Sequence, residues 1–209
     1  RSFRLAGLDC SRGVARVDHS PLSGAWTLQV VLGMQAPTAV PFLDGKVATL
    51  ATAKAFSLGV DLSSPPGVFL LQTLNEETRV VNSHRTDVTC PSRSWILISL
   101  VSDGHDTLSL FVGAKCVWRV RESSPLHLAS VGGHVTGHEA EGSTFRGGPF
   151  CGMIREVRVF ASALTSDEIA RSAVLGVEHS NTLHARFSLR QADKTHPRAL
   201  ATGPGALSS

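Results

Sequence analysis

The side chains best suited to bind a metal or a polar ligand are concentrated between Gly132 and Gly148, where the chain reads GGHVTGHEAEGSTFRGG. Imidazole nitrogens and carboxylate oxygens are common metal ligands. A zinc motif of the H-E-x-x-H type requires a helix, however, and the six glycines of this stretch disfavour one. The pattern favours a polar loop over a metal site. Glycine-rich loops often carry binding residues, so the candidate ligand-binding residues here are His134, His138, Glu139 and Glu141.

Carboxylates that could bind calcium or catalyse hydrolysis are spread over separate turns. Asp103 and Asp106 belong to the turn SDGHDT and are weak candidates for calcium, which needs several oxygen ligands. Glycoside hydrolysis requires two carboxyl groups that flank the scissile bond. The chain has no strand of the E-x-D-x-E type. The sequence therefore predicts no catalytic residue, no cofactor other than this weakly supported calcium, and a protein that is not an enzyme.

Aromatic rings that could stack on a sugar are scarce. The chain has three Trp and no Tyr, the residue that most often combines a ring with a polar tip. Trp26 and Trp95 head predicted core strands and are expected to pack there. Trp118, between Val117 and Arg119 in the second strand of a predicted hairpin, is the better candidate for an exposed ligand-binding ring, although packing in the core is favoured even for it.

The charge distribution argues against a nucleic-acid partner. The net charge is +3, but residues 1–105 carry 9 basic and 8 acidic residues and the remainder carries 11 and 9, so neither half forms a basic block. Arg119, Arg121, Arg155 and Arg158 alternate with apolar residues and are interpreted as a solvated sheet face. No apolar run approaches the ~18 residues that a spanning helix needs, so no membrane span is expected.

The four cysteines are Cys10, Cys90, Cys116 and Cys151, and no two of them form a C-x-x-C pair. This spacing excludes a zinc ribbon. The chain also has no N-x-[ST] glycosylation site. These features lean mildly towards reduced thiols and an intracellular protein.

Turn signals such as Asp44-Gly45, Pro65-Pro66-Gly67 and Asp103-Gly104 divide the chain into short alternating segments that predict antiparallel strands. One of these strands starts at Trp26, and alternation places Trp26, Leu28 and Val30 towards the core. Its opposite face, which begins with Thr27 and Gln29, is expected to be wet or half-covered. Further strands are expected at 13–18, 55–61, 68–74, 78–82, 94–102, 107–112, 116–120, 126–131 and 182–189. The side chains expected to be mostly buried are Phe3, Leu5, Trp26, Leu28, Val30, Phe56, Leu58, Trp95, Leu97, Leu108, Leu110, Ile154, Val157 and Phe160.

The segment from Phe150 to Ala170, FCGMIREVRVFASALTSDEIA, contains a strand, a corner and a capped helix. Ile154 lies three residues before Val157, so a bulge is needed if both side chains are to reach one core. Thr165 and Glu168 have the spacing of a capping box, and Leu164 with Ile169 has that of a hydrophobic staple. We expect a helix from Ser166 to about Val174.

This closing segment resembles the pattern F-x-G-x-I-x-x-V-x-[VIL]-[FY]-x-x-A-L-[ST]-x-x-E-I of laminin G-like domains in the concanavalin A-like lectin/glucanase superfamily. Ser94 to Val120, SWILISLVSDGHDTLSLFVGAKCVWRV, is similar to that family's Trp strand, D-G turn and following hairpin. The likeness to pentraxins and to the sandwich of BEACH proteins is more distant.

The resemblance implies an all-β, two-sheet antiparallel jellyroll sandwich with one short helix after the closing strand. We expect a single domain over residues 1–190 and a loosely attached tail over 191–209. The implied function is a non-catalytic recognition module that binds a carbohydrate or glycoconjugate through rim loops or the concave sheet. The alternative is a protein-interaction or structural subunit of a larger assembly that binds no sugar. The oligomeric state stays open.

Overall fold

The computed structural model of the chain describes residues 8–10, 14–17, 19–34, 47–63, 67–75, 77–91, 94–122, 125–133, 145, 147–150, 152–175, 182–188 and 200–201. Two sheets pack face to face, and one helix covers the outer side of one sheet. The elements are β1 (Leu8–Asp9), β2 (Ala15–Arg16), β3 (Trp26–Met34), β4 (Val47–Ala53), β5 (Phe56–Asp61), β6 (Val68–Leu74), β7 (Val81–Thr89), β8 (Trp95–Ser102), β9 (Thr107–Val112), β10 (Lys115–Arg121), β11 (Leu128–Val131), β12 (Gly148–Pro149), β13 (Gly152–Phe160), α1 (Ser166–Leu175), β14 (Leu183–Ser188) and β15 (Leu200–Ala201).

The eight-stranded sheet has the order β10-β9-β8-β3-β13-β14-β15, with β1 also paired to β13. The seven-stranded sheet has the order β2-β11-β4-β5-β6-β7, with β12 also paired to β4. This arrangement confirms the predicted two-sheet sandwich. The pairing of β12 with β4 is parallel and spans two residues, whereas the other pairings between described strands are antiparallel. Within the described residues, no helix has the length and apolarity needed to cross a bilayer.

The main core lies between the two sheets and contains side chains from both. The rings of Trp26 on β3 and Phe56 on β5 are stacked, with centroids 5.7 Å apart. Cys90 is also buried there, and burial raises the pKa of its thiol to about 12. All but one of the predicted core residues in the described part are buried. The buried ones are Trp26, Leu28, Val30, Phe56, Leu58, Leu97, Leu108, Leu110, Ile154, Val157 and Phe160.

Trp95 is the exception among the described core predictions, and Phe3 and Leu5 lie outside the described residues. Trp95 is half-buried on the outer face of the eight-stranded sheet, where it pairs with Gly33 of β3. The Arg155 guanidinium carbon lies 5.3 Å from the centroid of the Trp95 ring. The ring packs against the apolar cluster that includes Leu97 and Phe160, so the expected packing of Trp95 is confirmed, but on the face opposite to the main core that Ile98 joins.

The local predictions for the closing segment are confirmed. The register of β13 against β3 shifts between Ile154 and Glu156, which is the expected bulge. The backbone N–H of Thr165 donates to the Glu168 carboxylate at 2.8 Å, and the N–H of Glu168 donates to Thr165 Oγ1 at 3.3 Å. Leu164 and Ile169 are buried in one apolar cluster, as the staple requires.

The outer face of β3 is buried, contrary to the expected wet or half-covered side. Thr27 and Gln29 have no exposed surface, because α1 and the segment before it lie over this face. Thr27 Oγ1 donates to the Ser162 carbonyl at 2.8 Å and accepts the N–H of Leu164 at 2.9 Å. The sequence of β3 alone could not reveal that a helix packs on it, since Gln29 bonds Ser172 of that helix, which is 143 residues away.

Arg158 is buried as well, which corrects its interpretation as part of a solvated face. Its guanidinium donates to both carboxylate oxygens of Glu156, at 3.0 and 3.1 Å. It also donates to Gln29 Oε1 at 3.3 Å and to the Ser172 carbonyl of α1 at 3.0 Å. Arg186 on β14 contacts the same Glu156 carboxylate. Arg158 therefore joins the helix to the sheet.

Two strands differ from the predicted segments. The expected strand at 78–82 is replaced by β7, which starts at Val81 and runs to Thr89. A turn precedes it: the Asn75 side chain accepts the N–H groups of Glu77 and Thr78 at 3.0 and 2.9 Å, and Arg79 has φ 58°. β4 was not predicted, because its sequence VATLATA is rich in Ala and Thr rather than strongly alternating.

Most of the expected tail at 191–209 lies outside the described residues, but Leu200–Ala201 pairs with β14.

Candidate functional site

A row of polar side chains crosses the outer face of the seven-stranded sheet, meaning the face turned away from the main core. Phe56, Leu58, Phe69 and Leu71 point into the core, so the residues that alternate with them lie on the outer face. Strand pairing aligns six of these residues directly across six strands, from β2 to β7. We call this set the polar row: Arg16, Ser130, Thr52, Ser57, Gln72 and Ser83.

The polar row is buried in its middle and exposed at its ends. Ser130, Ser57 and Gln72 are 1%, 3% and 6% exposed, whereas Arg16 and Ser83 are exposed. The Gln72 side-chain oxygen Oε1 is buried and accepts no hydrogen bond in the described structure. A buried amide oxygen without a donor costs about 1–3 kcal/mol. Such a group requires an explanation, and a ligand donor is one.

Next to the polar row, the outer face is shallow and carries an ion pair. Gly59 pairs with Thr49 and Leu70, and a Cβ built on Gly59 would lie 2.7 Å from the Ala48 carbonyl oxygen. Val47 Cγ1 would lie 3.2 Å from the same Cβ, so the neighbouring strand leaves no room for a side chain at this position. Arg85 pairs with Leu70 in the same line, its Nε lies 3.3 Å from Asp61 Oδ2, and its side chain is 49% exposed.

The Gly132 to Gly148 stretch begins and ends on this same sheet. The Gly132 N–H donates to the Leu50 carbonyl at 2.8 Å, and the Phe150 N–H donates to the Gly132 carbonyl at 3.0 Å. Ser130 of the polar row donates its hydroxyl to the Gly133 carbonyl at 2.7 Å. The polar row is thus hydrogen-bonded directly to the base of the loop that the sequence analysis selected.

Comparison with solved structures identifies the architecture. The chain superposes on a Bacteroides ovatus protein described as a candidate carbohydrate binding protein, with a TM-score of 0.59 and 14% identity over 88% of this chain and 50% of that one. It also superposes on the heptameric SAP-like pentraxin of Limulus polyphemus, with a TM-score of 0.50 and 9% identity over 87% and 81% of the two chains. A third structure, mouse laminin alpha1 domains LG4-5, superposes with a TM-score of 0.51 and 10% identity over 78% of this chain and 43% of that one.

The chain has the concanavalin A-like jellyroll fold. The identities are low, so the likeness concerns the fold alone, and the chain spans about half the length of the Bacteroides ovatus and laminin chains. No protein-family profile matches the chain. No curated protein matches its sequence. Its ligand therefore has to be argued from its own residues.

The four loop residues predicted to bind a ligand, His134, His138, Glu139 and Glu141, lie outside the described residues. The structure describes only the two ends of the stretch that contains them, and both ends are bonded to the seven-stranded sheet. They stay a prediction.

The carboxylates of Asp103 and Asp106 accept hydrogen bonds within the turn between β8 and β9. Asp103 Oδ1 accepts the N–H groups of His105 at 2.8 Å and Thr107 at 3.1 Å, and these bonds hold the pKa of Asp103 below its ordinary value. Asp106 Oδ1 accepts the Thr107 hydroxyl at 3.1 Å. Gly104 in this turn has φ +81°, a conformation suited to glycine. In the part of the chain that the structure describes, no three His, Cys, Asp or Glu side chains are arranged to hold a metal ion.

Trp118 is half-buried and packs against the main core at the edge where β10 and β7 meet. Its ring centroid is 5.2 Å from that of His84. His84 Nε2 lies 3.1 Å from the Glu122 carboxylate and 3.4 Å from Thr73 Oγ1. Trp118 therefore has the packing role that its sequence favoured. Its ring does not belong to the polar row.

The polar row itself was not found from the sequence. Its residues are Ser, Thr, Gln and Arg on six different strands, and each strand alone is typical of a sheet with one polar face. One available signal was Gln72, which stands among the apolar residues of FLLQTL. Only the strand order and register bring these residues into one line.

Proposed function

We propose that this protein is a non-catalytic recognition module that binds an oligosaccharide on the outer face of its seven-stranded sheet. The observation that carries this proposal is the polar row, in which the buried Gln72 Oε1, next to the β7 end, has no hydrogen-bond partner among the described residues. Sugar hydroxyl groups are donors and acceptors, and amide and hydroxyl side chains complement both roles.

The size of the row favours an oligosaccharide over a single sugar. Neighbouring strands are about 4.8 Å apart, so a line across six strands is about 24 Å long. The half-buried Thr52 and the exposed Ser83 and Arg16 would contact a ligand along this line. Gln72 would supply an acceptor close to the Ser83 end.

A hydrolytic activity is not proposed, because its chemistry requires a pair of carboxyl groups. The polar row consists of Arg, Ser, Thr and Gln and contains no acid. Asp61, close to the row, is engaged with Arg85 and accepts the N–H and hydroxyl of Ser63 at 2.8 and 2.6 Å.

A protein-binding role is the alternative, and it would be favoured by a broad apolar surface. Among the described residues, the large hydrophobic side chains that are exposed are Val80 and Val174. Val80 precedes β7, and Val174 lies on α1 over the other sheet. Two isolated valines do not form such a surface, so the polar row is the stronger argument.

The substitution Gln72→Leu tests the proposal. A glycan array first identifies an oligosaccharide that the wild-type protein binds, and calorimetry then measures its affinity. We expect Gln72→Leu to weaken binding about five-fold, the effect of one lost hydrogen bond. The melting temperature should stay equal or rise, because the substitution removes a buried polar atom that has no partner in the described structure.

Ser99→Ala is the matched control. Ser99 Oγ is the other buried side-chain atom without a partner among the described residues, and it lies on the eight-stranded sheet. We expect Ser99→Ala to leave the affinity unchanged. Equal affinity for wild type and Gln72→Leu would refute the role of the row. An array without any bound glycan, together with a protein captured through this face, would support the alternative.

A further inference from the structure

His19 helps to attach the edge segment, which comprises residues 15–17 and 19–22, to the seven-stranded sheet. β2 is an edge strand, and its pairing with β11 is continued by a bond from the Val17 N–H to the Ala129 carbonyl at 3.1 Å. Further along, Leu22 and Leu126 exchange two backbone bonds of 3.0 and 2.9 Å. Between these points the Leu128 N–H donates to a side chain, His19 Nε2, at 3.1 Å.

The partners of the His19 ring define its protonation state. The Leu128 N–H can only donate, so Nε2 must be the accepting nitrogen of the ring. The Ser20 carbonyl can only accept, so Nδ1, at 2.7 Å from that oxygen, must carry the hydrogen. This is the neutral Nδ1–H tautomer. A proton added to Nε2 would face the Leu128 N–H, and the bond would be lost.

Two other histidines face this ring from neighbouring elements. The centroid of His127, which precedes β11, is 6.4 Å from that of His19, and the centroid of His184 on β14 is 5.9 Å away. Arg16 belongs to the same edge segment, and the Lys54 N–H donates to the His127 carbonyl at 3.1 Å. Among the described residues, the imidazoles of His127 and His184 are therefore the titratable side chains whose rings contact His19.

We propose that His19 is an acid-sensitive latch that holds the edge segment on β11 at neutral pH and releases it when the ring is protonated. Histidine is the side chain that ordinarily titrates near about pH 6.5. Arg16, at the end of the polar row, is on this segment and pairs with Ser130 of β11. Release would remove the Arg16 end of the row. Only this consequence for binding rests on the proposed function; the release itself does not.

Amide hydrogen exchange, followed by NMR, tests the latch without any ligand. We expect the protection factor of the Leu128 amide to fall about five-fold between about pH 7.5 and about pH 5, because one hydrogen bond is lost. The Leu74 amide, which donates to the Ala55 carbonyl at 2.8 Å in the same sheet, serves as the internal reference. A Leu128 protection factor that does not change relative to Leu74 would overturn the proposal.

Three variants assign the effect to His19. In His19→Gln the side-chain carbonyl can accept the same bond but does not titrate, so the pH dependence should disappear. In His19→Ala the Leu128 amide should be poorly protected at both pH values. The double variant His127→Gln/His184→Gln should retain the wild-type response. A response that persists in His19→Gln, or that vanishes only in the double variant, would contradict the latch.

Discussion

The buried ion pair beneath α1 offers the strongest test of how this fold is stabilised. Arg158 is 5% exposed and makes four hydrogen bonds to three residues, Glu156, Gln29 and Ser172. The substitution Arg158→Met keeps an unbranched side chain but removes the charge and all four bonds. It leaves Glu156 buried, with Arg186 as its remaining cationic partner.

The expected loss is about 3 kcal/mol in the free energy of unfolding at neutral pH. Removal of one partner from a buried ion pair typically costs about 3–5 kcal/mol, because the other charge stays buried. We take the low end because Arg186, whose side chain is 29% exposed, still contacts Glu156. For a chain of this size, about 3 kcal/mol corresponds to a fall of about 6–12 °C in Tm.

The same variant should change the acid sensitivity. Burial opposes the ionisation of Glu156, but hydrogen bonds and charge from Arg158, followed by those from Arg186, outweigh burial and hold its pKa below the ordinary value. The ionised carboxylate thus contributes stability above about pH 4.3, and this contribution is lost as the pH falls through the lower pKa of the folded state. In Arg158→Met that pKa rises towards the value of the unfolded chain, so the part of the stability that is lost through this group on acidification should be smaller than in wild type.

Urea unfolding at about pH 7 and about pH 3.5, on either side of the ordinary pKa of a glutamate, measures both effects. Arg171→Met on the exposed side of α1 is the matched control, since Arg171 bonds the Asp167 carbonyl of its own helix at 3.3 Å. We expect this control to change stability by less than about 0.5 kcal/mol. The reasoning is refuted if Arg158→Met costs no more than Arg171→Met.

Two further predictions concern the helix and the loop. Leu164→Ser should lower Tm by several degrees, because it removes one member of the staple that packs with Ile169; a melting curve that matches wild type would exclude the staple. If the loop contributes to binding, His138→Ala/Glu139→Ala should abolish binding of the array-selected glycan and leave Tm nearly unchanged, since loop side chains add little to the core. Retained binding would exclude both residues from the site.

Residue patterns that act over a few neighbours were sufficient for much of the fold. The three-residue interval from Ile154 to Val157 required a bulge, and the spacing of Thr165 and Glu168 required a capping box; both are present. Alternation in β3 and β5 identified the core faces of two central strands. These signals are local: bulges, caps and alternation depend on the order of side chains along one segment.

The interpretation of polar side chains within strands failed for a different reason. Gln29 and Arg158 looked solvated because each alternates with core residues, yet α1 folds over both of them. β7 starts at Val81, later than predicted, because the Asn75 side chain stabilises a turn before it that the strand pattern did not indicate.

The sequence by itself determined many short antiparallel strands, the closing strand and its capped helix, because these follow from short-range periodicity and spacing, and its resemblance to laminin G-like domains implied the two-sheet sandwich. The tertiary structure alone decided which polar groups meet. The polar row joins Arg16 to Ser83 through residues of six strands, and His19 bonds an amide that is 109 residues away. Such contacts depend on strand order and register, which arise from the packing of the whole chain rather than from any one segment.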